Sequence, residues 1–326
     1  MRALRSPLLF AVLCWVLGGG GCPAGDDDDD VSGDDDDTTA GDDDSADDDD
    51  TTEPPVEPLF AVAVIADPHV SGSGANEQRL GSAVDWIEAN AAGEGIELVL
   101  VLGDIAWNDG LGLAREQLDV LSMPWVPIIG DNEVQSDDEQ AYHEAFDSHF
   151  ESLPAVLDGF RRTDAPIWNP EAEMDSWFQN SAFEVQGLRF VGVDWCARGI
   201  GGILGEAGQL NDIEGGTFPW FVDELSELDE APLESVILFS HIPMHLGAFN
   251  LEQMEALTGV TDPVGDRVYA NLAGHIHVNA EVEVEDGGYT VFVTDAIWDD
   301  ELTIRMLRVA GNGARFEFEH ELVVLP

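Results

Sequence analysis

Apolar and polar positions alternate in blocks along the chain from residue 59 onward. Three apolar runs, 59–69, 96–104 and 124–133, each end in acidic or other polar residues, and segments with helical spacing such as 81–92 separate them. This order of strands and helices predicts parallel strands joined by helical crossovers. Because the runs are nearly continuous in Val, Leu, Ile and other apolar residues, we expect strands that are covered on both faces.

The pattern changes beyond residue 135. Helices are predicted over 135–153 and 216–228, and 154–181 is interpreted as an irregular loop or insertion. Apolar or alternating segments predict further strands: a hairpin over 181–195, and then strands over 234–241, 266–277, 280–284, 289–294, 302–309 and 314–324. We therefore expect a layered α/β domain over residues 59–326, with a mostly antiparallel C-terminal half.

Residues 1–22 have the pattern of a signal peptide. Arg2 and Arg5 supply positive charge ahead of an apolar stretch, 8–17, which is too short to span a bilayer comfortably. A charged and then apolar start of this kind is typical of exported proteins. We therefore expect a protein that acts outside the cytoplasm, in the periplasm or at the cell surface.

Cys22 follows a run of glycines, and a cysteine after small residues resembles the lipidation site of bacterial lipoproteins. Such sites usually carry leucine three positions before the cysteine, where this chain has Gly19. A plain secretory peptide cleaved near Ala24 is therefore the alternative. With a lipid on Cys22, we expect the protein to be anchored to a bacterial membrane.

Residues 23–58 form an acidic linker in which small polar residues separate runs of aspartate. The charges repel one another, so we expect an extended segment that forms no core. The runs lack the spaced ligands and the glycine of a calcium-binding loop. The linker is therefore interpreted as a solvated spacer between the membrane and the domain that begins at residue 59.

The acidic excess extends beyond the linker. The chain has 67 acidic and 12 basic residues, giving a formal charge of −55, and every basic residue is an arginine. A surface this negative repels nucleic acid, so we expect no nucleic-acid partner. Cys196 is the lone cysteine of the predicted domain, which favours a buried apolar role. The sequence does not define an oligomeric state.

Side chains that bind metals follow five of the apolar runs. The motifs are Asp67-Pro68-His69, Gly103-Asp104, Gly130-Asp131-Asn132-Glu133, His241 and Gly274-His275-Ile276-His277. Because the carboxyl ends of strands form the ligand crevice of an α/β sheet, we expect these side chains to converge. They are too many for one tetrahedral zinc ion and suit two metals that share a bridging carboxylate. Nitrogen and oxygen ligands without cysteine favour Mn, Fe, Zn or Co over calcium.

The five motifs, in this order, resemble the signature of calcineurin-like metallophosphoesterases. Single motifs of this kind occur in many sequences by chance, whereas all five in order, each after an apolar strand, are highly specific. The resemblance runs across residues 67–277. It implies a four-layer α/β/β/α sandwich of two mixed sheets flanked by helices.

The resemblance also implies roles for individual residues. Asp67, His69 and His277 would hold one metal, Asp104 would bridge, and His241 and His275 would hold the second metal together with a ligand from the third motif. The implied cofactors are two divalent or trivalent transition metal ions, Mn, Fe or Zn. The implied activity is hydrolysis of a small phosphomonoester or phosphodiester, with a metal-bridging hydroxide as nucleophile. A metal-binding protein of the same fold with weak or no turnover is the alternative.

The third motif departs from the family pattern, which is usually Gly-Asn-His-Asp/Glu. With Gly130 aligned, Asp131 replaces the asparagine ligand and Asn132 takes the position of the histidine; with a one-residue slip, Asn132 is the ligand and Glu133 takes that position. We favour the first register because the glycine turn sets the geometry. In the family the histidine contacts the substrate phosphate and can protonate the leaving group, and such acid catalysis contributes about 10²–10⁴-fold.

Two further positions bear on the chemistry. His245, four residues after His241, could supply the imidazole that the third motif lacks, and a surface position is the alternative. Iron-tyrosinate purple phosphatases resemble this family but carry tyrosine three residues after the bridging aspartate. Trp107 occupies that position here, which argues against a purple site.

The remaining aromatic and histidine positions favour ordinary structural roles. His143 and His149 lie on the helix predicted over 135–153, and we expect both to face solvent. Trp168, Trp177 and Trp195 could line a substrate pocket, but packing in the core or in loops is the favoured interpretation.

Overall fold

The computed structural model describes residues 54–72, 74–107, 110–135, 139–198, 207–230, 235–299 and 301–326. The predicted signal peptide, Cys22 and residues 23–53 of the predicted linker lie outside these ranges. The first strand begins at Glu57, two residues before the predicted start of the domain. No helix among the described residues is long and apolar enough to cross a membrane.

Fourteen strands and six α-helices make up the described chain. The strands are β1 (Glu57–Ile65), β2 (Ile96–Leu102), β3 (Trp125–Ile128), β4 (Asp158–Arg162), β5 (Ile167–Asn169), β6 (Met174–Ser176), β7 (Ser181–Val185), β8 (Leu188–Gly192), β9 (Val236–Phe239), β10 (Val268–Ala273), β11 (Ala280–Val284), β12 (Tyr289–Val293), β13 (Thr303–Gly311) and β14 (Phe316–Val324). The helices are α1 (Ala75–Glu94), α2 (Gly110–Leu118), α3 (Asp131–Gln135), α4 (Glu139–Phe150), α5 (Thr217–Ser226) and α6 (Leu251–Thr261).

The first sheet has the strand order β14-β13-β1-β2-β3. Strands β1, β2 and β3 are parallel, and β13 runs antiparallel to both β1 and β14. The parallel strands are connected through α1 and α2, as the alternating sequence pattern predicts. In β1, all residues from Phe60 to Ile65 are buried, which agrees with a strand that is covered on both faces.

The second sheet has the order β11-β12-β10-β9-β8-β7-β4, and a separate two-stranded sheet pairs β5 with β6. Strands β8, β9, β10 and β12 are parallel. The mostly antiparallel C-terminal half predicted from sequence is therefore wrong for this part of the chain. The physical reason is α6, which lies between β9 and β10 and returns the chain so that the two strands run in the same direction.

Two mixed sheets flanked by helices confirm the predicted α/β class. The prediction of an irregular segment over 154–181 is only partly right, because β4, β5 and β6 form there. These strands have three to five residues and lack a clear apolar alternation, so their sequences do not signal them. Helix α6 was also missed, although Asn250 and Gln253 form a capping box at its start.

His149 is buried, which contradicts the prediction that it faces solvent. Its ring stacks on Trp125 with 3.6 Å between centroids, and its Nε2 donates a hydrogen bond of 2.7 Å to the Trp125 carbonyl. His149 thus fastens α4 to β3, the strand that leads into the third motif. His143, on the same helix, is half-buried and packs on Trp177, so the prediction that it faces solvent holds only in part. Trp195 is fully buried, as expected of core packing.

Replacing His149 with glutamine should make the free energy of unfolding less dependent on pH in the acidic range. Burial lowers the pKa of His149 from 6.5 to about 4, against a smaller opposite effect of the Trp125 carbonyl. Between these pH values the unfolded chain binds a proton that the folded chain excludes, so stability falls as the pH drops through this window. The slope from this one group approaches about 1.4 kcal/mol per pH unit. Glutamine keeps a donor for the carbonyl but has no such proton.

We therefore expect the free energy of unfolding to fall less in H149Q than in the wild type between pH 7 and pH 4.5. Urea titrations of the metal-free proteins measure this difference. The carboxylates are the same in both proteins, so their contributions to the pH dependence cancel in the comparison. An equal fall in the two proteins would contradict the buried, neutral state of His149.

Candidate metal centre

The predicted metal ligands lie at the carboxyl ends of strands from both sheets. Asp67 and His69 follow β1, Asp104 follows β2, Asp131 opens α3 after β3, His241 follows β9, and His275 and His277 follow β10. Residues more than 200 positions apart in sequence are thereby brought together. They form two groups, and within each group the ligating atoms lie within 4.8 Å of one another.

The first group consists of Asp67, His69, Asp104 and His277. The Nε2 atoms of His69 and His277 are 3.3 Å apart, and Nε2 of His69 is 3.4 Å from a carboxylate oxygen of Asp104. Nε2 of His277 is 3.6 Å from an oxygen of Asp67. Two imidazole nitrogens and two carboxylates therefore converge, as they do around a shared cation.

The second group consists of Asp131, His241 and His275. One oxygen of Asp131 is 2.8 Å from Nε2 of His241 and 3.1 Å from Nδ1 of His275. Nδ1 of His241 donates to the carbonyl of Leu102, which turns Nε2 toward the site. Because Nε2 of His241 is also 3.4 Å from Asp104, this carboxylate lies against both groups.

The backbone at the site is strained. Five of the predicted ligand residues have positive φ angles, namely Asp67, His69, Asp104, His275 and His277, with φ values of 48°, 46°, 46°, 74° and 51°. A non-glycine residue in this region costs about 1–2 kcal/mol. The described chain has only three other such residues, so the strain is concentrated where the side chains must turn toward a common point.

Glycines in the motifs allow the ligand loops to approach one another. A Cβ on Gly130 would lie 2.0 Å from the amide nitrogen of Asp104, and a Cβ on Gly274 would lie 2.5 Å from an oxygen of Asp67. Neither neighbour can move aside, because one is backbone and the other is a buried carboxylate. The glycine that precedes Asp131 and the glycine that precedes His275 are thus required by the packing of the loops.

The geometry of the third motif favours Asp131 as the ligand. Asp131 reaches both histidines of the second group, whereas Glu133 is turned away from them. The two oxygens of Glu133 accept hydrogen bonds from the amides of Ala106 and Gly130, at 2.9 and 2.8 Å. Glu133 therefore braces the loops behind the site, which fits the register with Gly130 aligned.

The two residues predicted to take part in catalysis lie differently. Asn132 lines the cavity in front of the two groups, where its backbone and side-chain N–H groups donate to Asp104 and its side-chain nitrogen is 3.3 Å from Nδ1 of His69. Asn132 therefore orients two ligands from the edge of the site. His245 is half-buried and does not line this cavity; its Nδ1 contacts the Leu246 carbonyl.

The electrostatics of the site reflect its excess of buried carboxylates. Burial raises the pKa of Asp104 well above its usual range, and the neighbouring Asp131 adds to the effect. Burial would lower the pKa of His241, but the Asp104 carboxylate and the hydrogen bond that His241 donates to Asp131 outweigh it and raise this pKa. For His69, burial dominates and lowers the pKa to about 4. The cluster thus holds negative charge that bound protons or cations must offset.

The donor set fits transition metal ions. Imidazole nitrogens and carboxylate oxygens, without thiolates, suit Mn, Fe, Zn and similar ions. The close approach of the Nε2 atoms of His69 and His277 leaves one position that both can ligate. Asn76 donates to the backbone carbonyl of His69 at 2.8 Å and thereby holds the loop that carries this histidine in place.

A cavity of about 610 Å³ opens in front of the ligands. Its lining residues are His69, Asn76, Asp104, Trp107, Asp131, Asn132, His275, His277 and Trp298. Sequence reasoning noted Trp107 only as a replacement for tyrosine, and it missed Asn76 and Trp298. Trp298 lies in a loop after β12 that carries no motif, so no local sequence signal marks it.

Comparisons with solved structures find distant similarities. The protein TT1561 of Thermus thermophilus is 11% identical, with 80% of this chain and 98% of that chain covered and a TM-score of 0.44. The sulfate thiohydrolase SoxB of Thermus thermophilus, solved with glycerol, is 13% identical, with 84% and 57% covered and a TM-score of 0.44. The phosphopantetheinyl hydrolase of Mycobacterium tuberculosis is 13% identical, with 74% and 90% covered and a TM-score of 0.39. No curated protein matches the sequence.

The sequence itself matches the family of calcineurin-like phosphoesterases over residues 60–279. This span is more than half of the chain and includes all five motifs. It also contains both groups of ligating side chains. The resemblance drawn from the motifs is thereby confirmed, and the chain belongs to the calcineurin-like phosphoesterase family.

Proposed function

We propose that this protein is a metal-dependent phosphoester hydrolase with a dinuclear centre. The observation that supports it is Asp104, which contacts His69 of one group and His241 of the other at 3.4 Å each. A carboxylate between two ligand groups is the arrangement that a pair of cations needs. Membership of the calcineurin-like phosphoesterase family supports the same chemistry.

The chain's own residues would hold two cations in the two groups. Asp67, His69 and His277 would hold one ion, and Asp131, His241 and His275 would hold the other, with Asp104 shared. Two bound cations lower the pKa of a water molecule and offset charge on phosphoryl oxygens. The strained loops and the contacts of Asn132 would keep the ligands in position without further adjustment.

The charge of the cavity favours a phosphodiester over a phosphomonoester. No lysine occurs in the chain, and no arginine is among the described residues that line the cavity. Three ligand carboxylates, Asp67, Asp104 and Asp131, would offset most of the charge of two divalent cations. A diester carries one negative charge, whereas a monoester carries about two at neutral pH, and an uncompensated charge in a buried site is costly.

A protein that binds metal without turnover is the second candidate. Asn132 supports it, because an amide at the cavity edge cannot protonate a leaving group as the family's histidine does. Loss of that acid would slow the reaction by about 10²–10⁴-fold while leaving the ligands in place. We favour the hydrolase because esters with good leaving groups need little protonation.

We infer from the sequence that the protein acts outside the cytoplasm on a small substrate. The apolar stretch before Cys22 supports export, and the cysteine supports a lipid anchor. The acidic linker would hold the domain away from the membrane surface. The formal charge of −55 argues against nucleic acid as substrate or partner.

Replacing Asp104 with asparagine should stabilise the metal-free protein and weaken its thermal stabilisation by metal. Because burial disfavours the charged form of Asp104, removing the charge should raise the melting temperature of the metal-free protein by about 2–4 °C, equivalent to ~1 kcal/mol for a domain of this size. Manganese should raise the melting temperature of the wild type, since a ligand at 100 times its dissociation constant adds about 2.7 kcal/mol. D104N should respond weakly.

Differential scanning calorimetry with and without Mn²⁺ measures both effects, and metal analysis after dialysis gives the stoichiometry. D119N serves as the matched control, because Asp119 pairs with Arg115 on the surface away from the site. We expect two equivalents of metal in the wild type and in D119N. A wild type that stays free of metal would rule out the dinuclear centre.

The manganese-loaded protein should hydrolyse methyl 4-nitrophenyl phosphate faster than 4-nitrophenyl phosphate. Both esters have the same leaving group, so the ratio of kcat/KM reports the preference for one negative charge over two. D104N should lose at least about 100-fold in kcat/KM, as is typical when a group that stabilises charge at the reacting centre is removed. D119N should retain the wild-type rate. Full metal loading without turnover of either ester would favour the second candidate.

Replacing Asn132 with histidine should raise turnover of an ester with a poor leaving group. An imidazole at this edge of the cavity could donate a proton, so we expect kcat on methyl phenyl phosphate to rise by about tenfold or more. Methyl 4-nitrophenyl phosphate is the matched substrate, because its leaving group needs less protonation and should gain less. Metal content must stay unchanged in N132H; a loss of one metal would instead identify Asn132 as a ligand.

A further inference from the structure

Two tryptophans form part of the wall of the metal cavity. Trp107 is 39% exposed and Trp298 is 36% exposed, and both line the cavity. A large aromatic side chain that is left open to solvent loses the free energy of its burial. Two such side chains that line one cavity therefore indicate a surface that a bound molecule can cover.

Both rings lie on the same side of the site. The His69 ring is 5.6 Å from Trp107 and 5.5 Å from Trp298, measured between ring centroids, and Trp298 is 5.4 Å from His277. These histidines belong to the first ligand group. The rings of His241 and His275, from the second group, contact each other at 5.0 Å. The aromatic wall is thus confined to one half of the cavity.

The loop that carries Trp298 is fastened to the body of the domain. Arg79, on α1, donates hydrogen bonds to the backbone carbonyls of Ile297 and Asp299, on either side of the tryptophan. The amide of Ile297 donates to the carbonyl of Ala66 at 3.1 Å. These hydrogen bonds from Arg79 hold the loop so that the Trp298 ring lies beside His69 and His277.

Trp107 is held in a comparable way. Its amide donates to the carbonyl of Val70, and its carbonyl accepts from the amide of Gly110, both at 2.8 Å. Val70 follows the Asp67–His69 loop directly. Because the backbone at both tryptophans is held next to candidate metal ligands, the segments that carry the rings are pre-positioned, and a ligand that stacks on the rings needs little ordering of these segments.

We propose that Trp107 and Trp298 form a subsite for a planar ring carried by the phosphoester substrate. The subsite adds a substrate preference to the proposed function and rests on that function. The phosphoryl group would lie at the ligand groups, and the ring would extend over the half of the cavity next to His69 and His277. Substrates of this class are phosphodiesters in which one esterified group is aromatic or heteroaromatic.

The physical basis is the match between a flat π-face and the two indoles. Aromatic pairs contribute about 0.5–1.5 kcal/mol beyond the area that they bury. Since no lysine or arginine is among the described residues that line the cavity, selectivity among monoanionic esters should come from this apolar contact. An ester with only small aliphatic groups would leave both rings in contact with water.

The test measures binding of two probes that differ only in a ring. Methyl phenylphosphonate and methyl methylphosphonate carry the same single charge, and each has only a methoxy group, a poor leaving group, besides its stable P–C bond. Isothermal titration calorimetry of the manganese-loaded protein gives a dissociation constant for each. We expect the wild type to bind the phenyl probe more tightly, and W107A and W298A each to lower this selectivity by about three- to tenfold.

The matched control is W168A, because Trp168 is a 60% exposed tryptophan outside the cavity. It should keep the wild-type selectivity. W298F, which retains a ring, should keep more selectivity than W298A, and this separates stacking from a disturbed loop. Two equivalents of bound manganese in each variant verify that the ligand groups are intact.

The outcomes separate the subsite from the proposed function. Equal affinity of the wild type for the two probes, or selectivity that survives both W107A and W298A, would overturn the aromatic subsite while leaving the hydrolase in place. If neither probe binds to the manganese-loaded wild type, the proposed phosphoester site fails, and the subsite fails with it.

Discussion

The structure depends on bringing like charges together at the ends of buried strands. Asp67, Asp104 and Asp131 have exposures of only 0%, 3% and 5%, and burying an uncompensated carboxylate costs several kcal/mol. Histidines from the second sheet offset part of this cost. Nitrogens of His241 lie within 3.7 Å of all three carboxylates. Because negative charge remains, the cluster could hold cations.

The loops around this cluster adopt unfavourable backbone conformations that direct the side chains toward one point. Positive φ angles at five ligand residues and the close approach of Gly130 to the Asp104 backbone are each unfavourable on their own. They persist because β1 and β2 are packed in the core and fix the points from which the loops start. The same rigidity holds Trp107 and Trp298 beside the candidate ligands, so that one cavity is lined by carboxylates on one part of its surface and by two indole rings on another.

Patterns along the chain predicted much of the fold, and the failures have definite causes. The parallel strands β1 to β3 follow from apolar runs separated by helical spacing, since burial on both faces removes polar positions. The short strands within 154–181 lack that signal. His149 was misplaced because a histidine that stacks on Trp125 and donates to a carbonyl looks, in sequence, like any polar residue on a helix.

The sequence by itself determined the family, the strand ends and the chemical types of the candidate ligands, because each motif is local and directly follows an apolar strand. Only the tertiary structure decided how seven side chains divide into two groups, and that Asp131 faces the histidines while Glu133 braces the loops. It alone brought Trp298 to the cavity. These outcomes depend on how two sheets pack, and contacts between residues about 200 positions apart leave no local pattern.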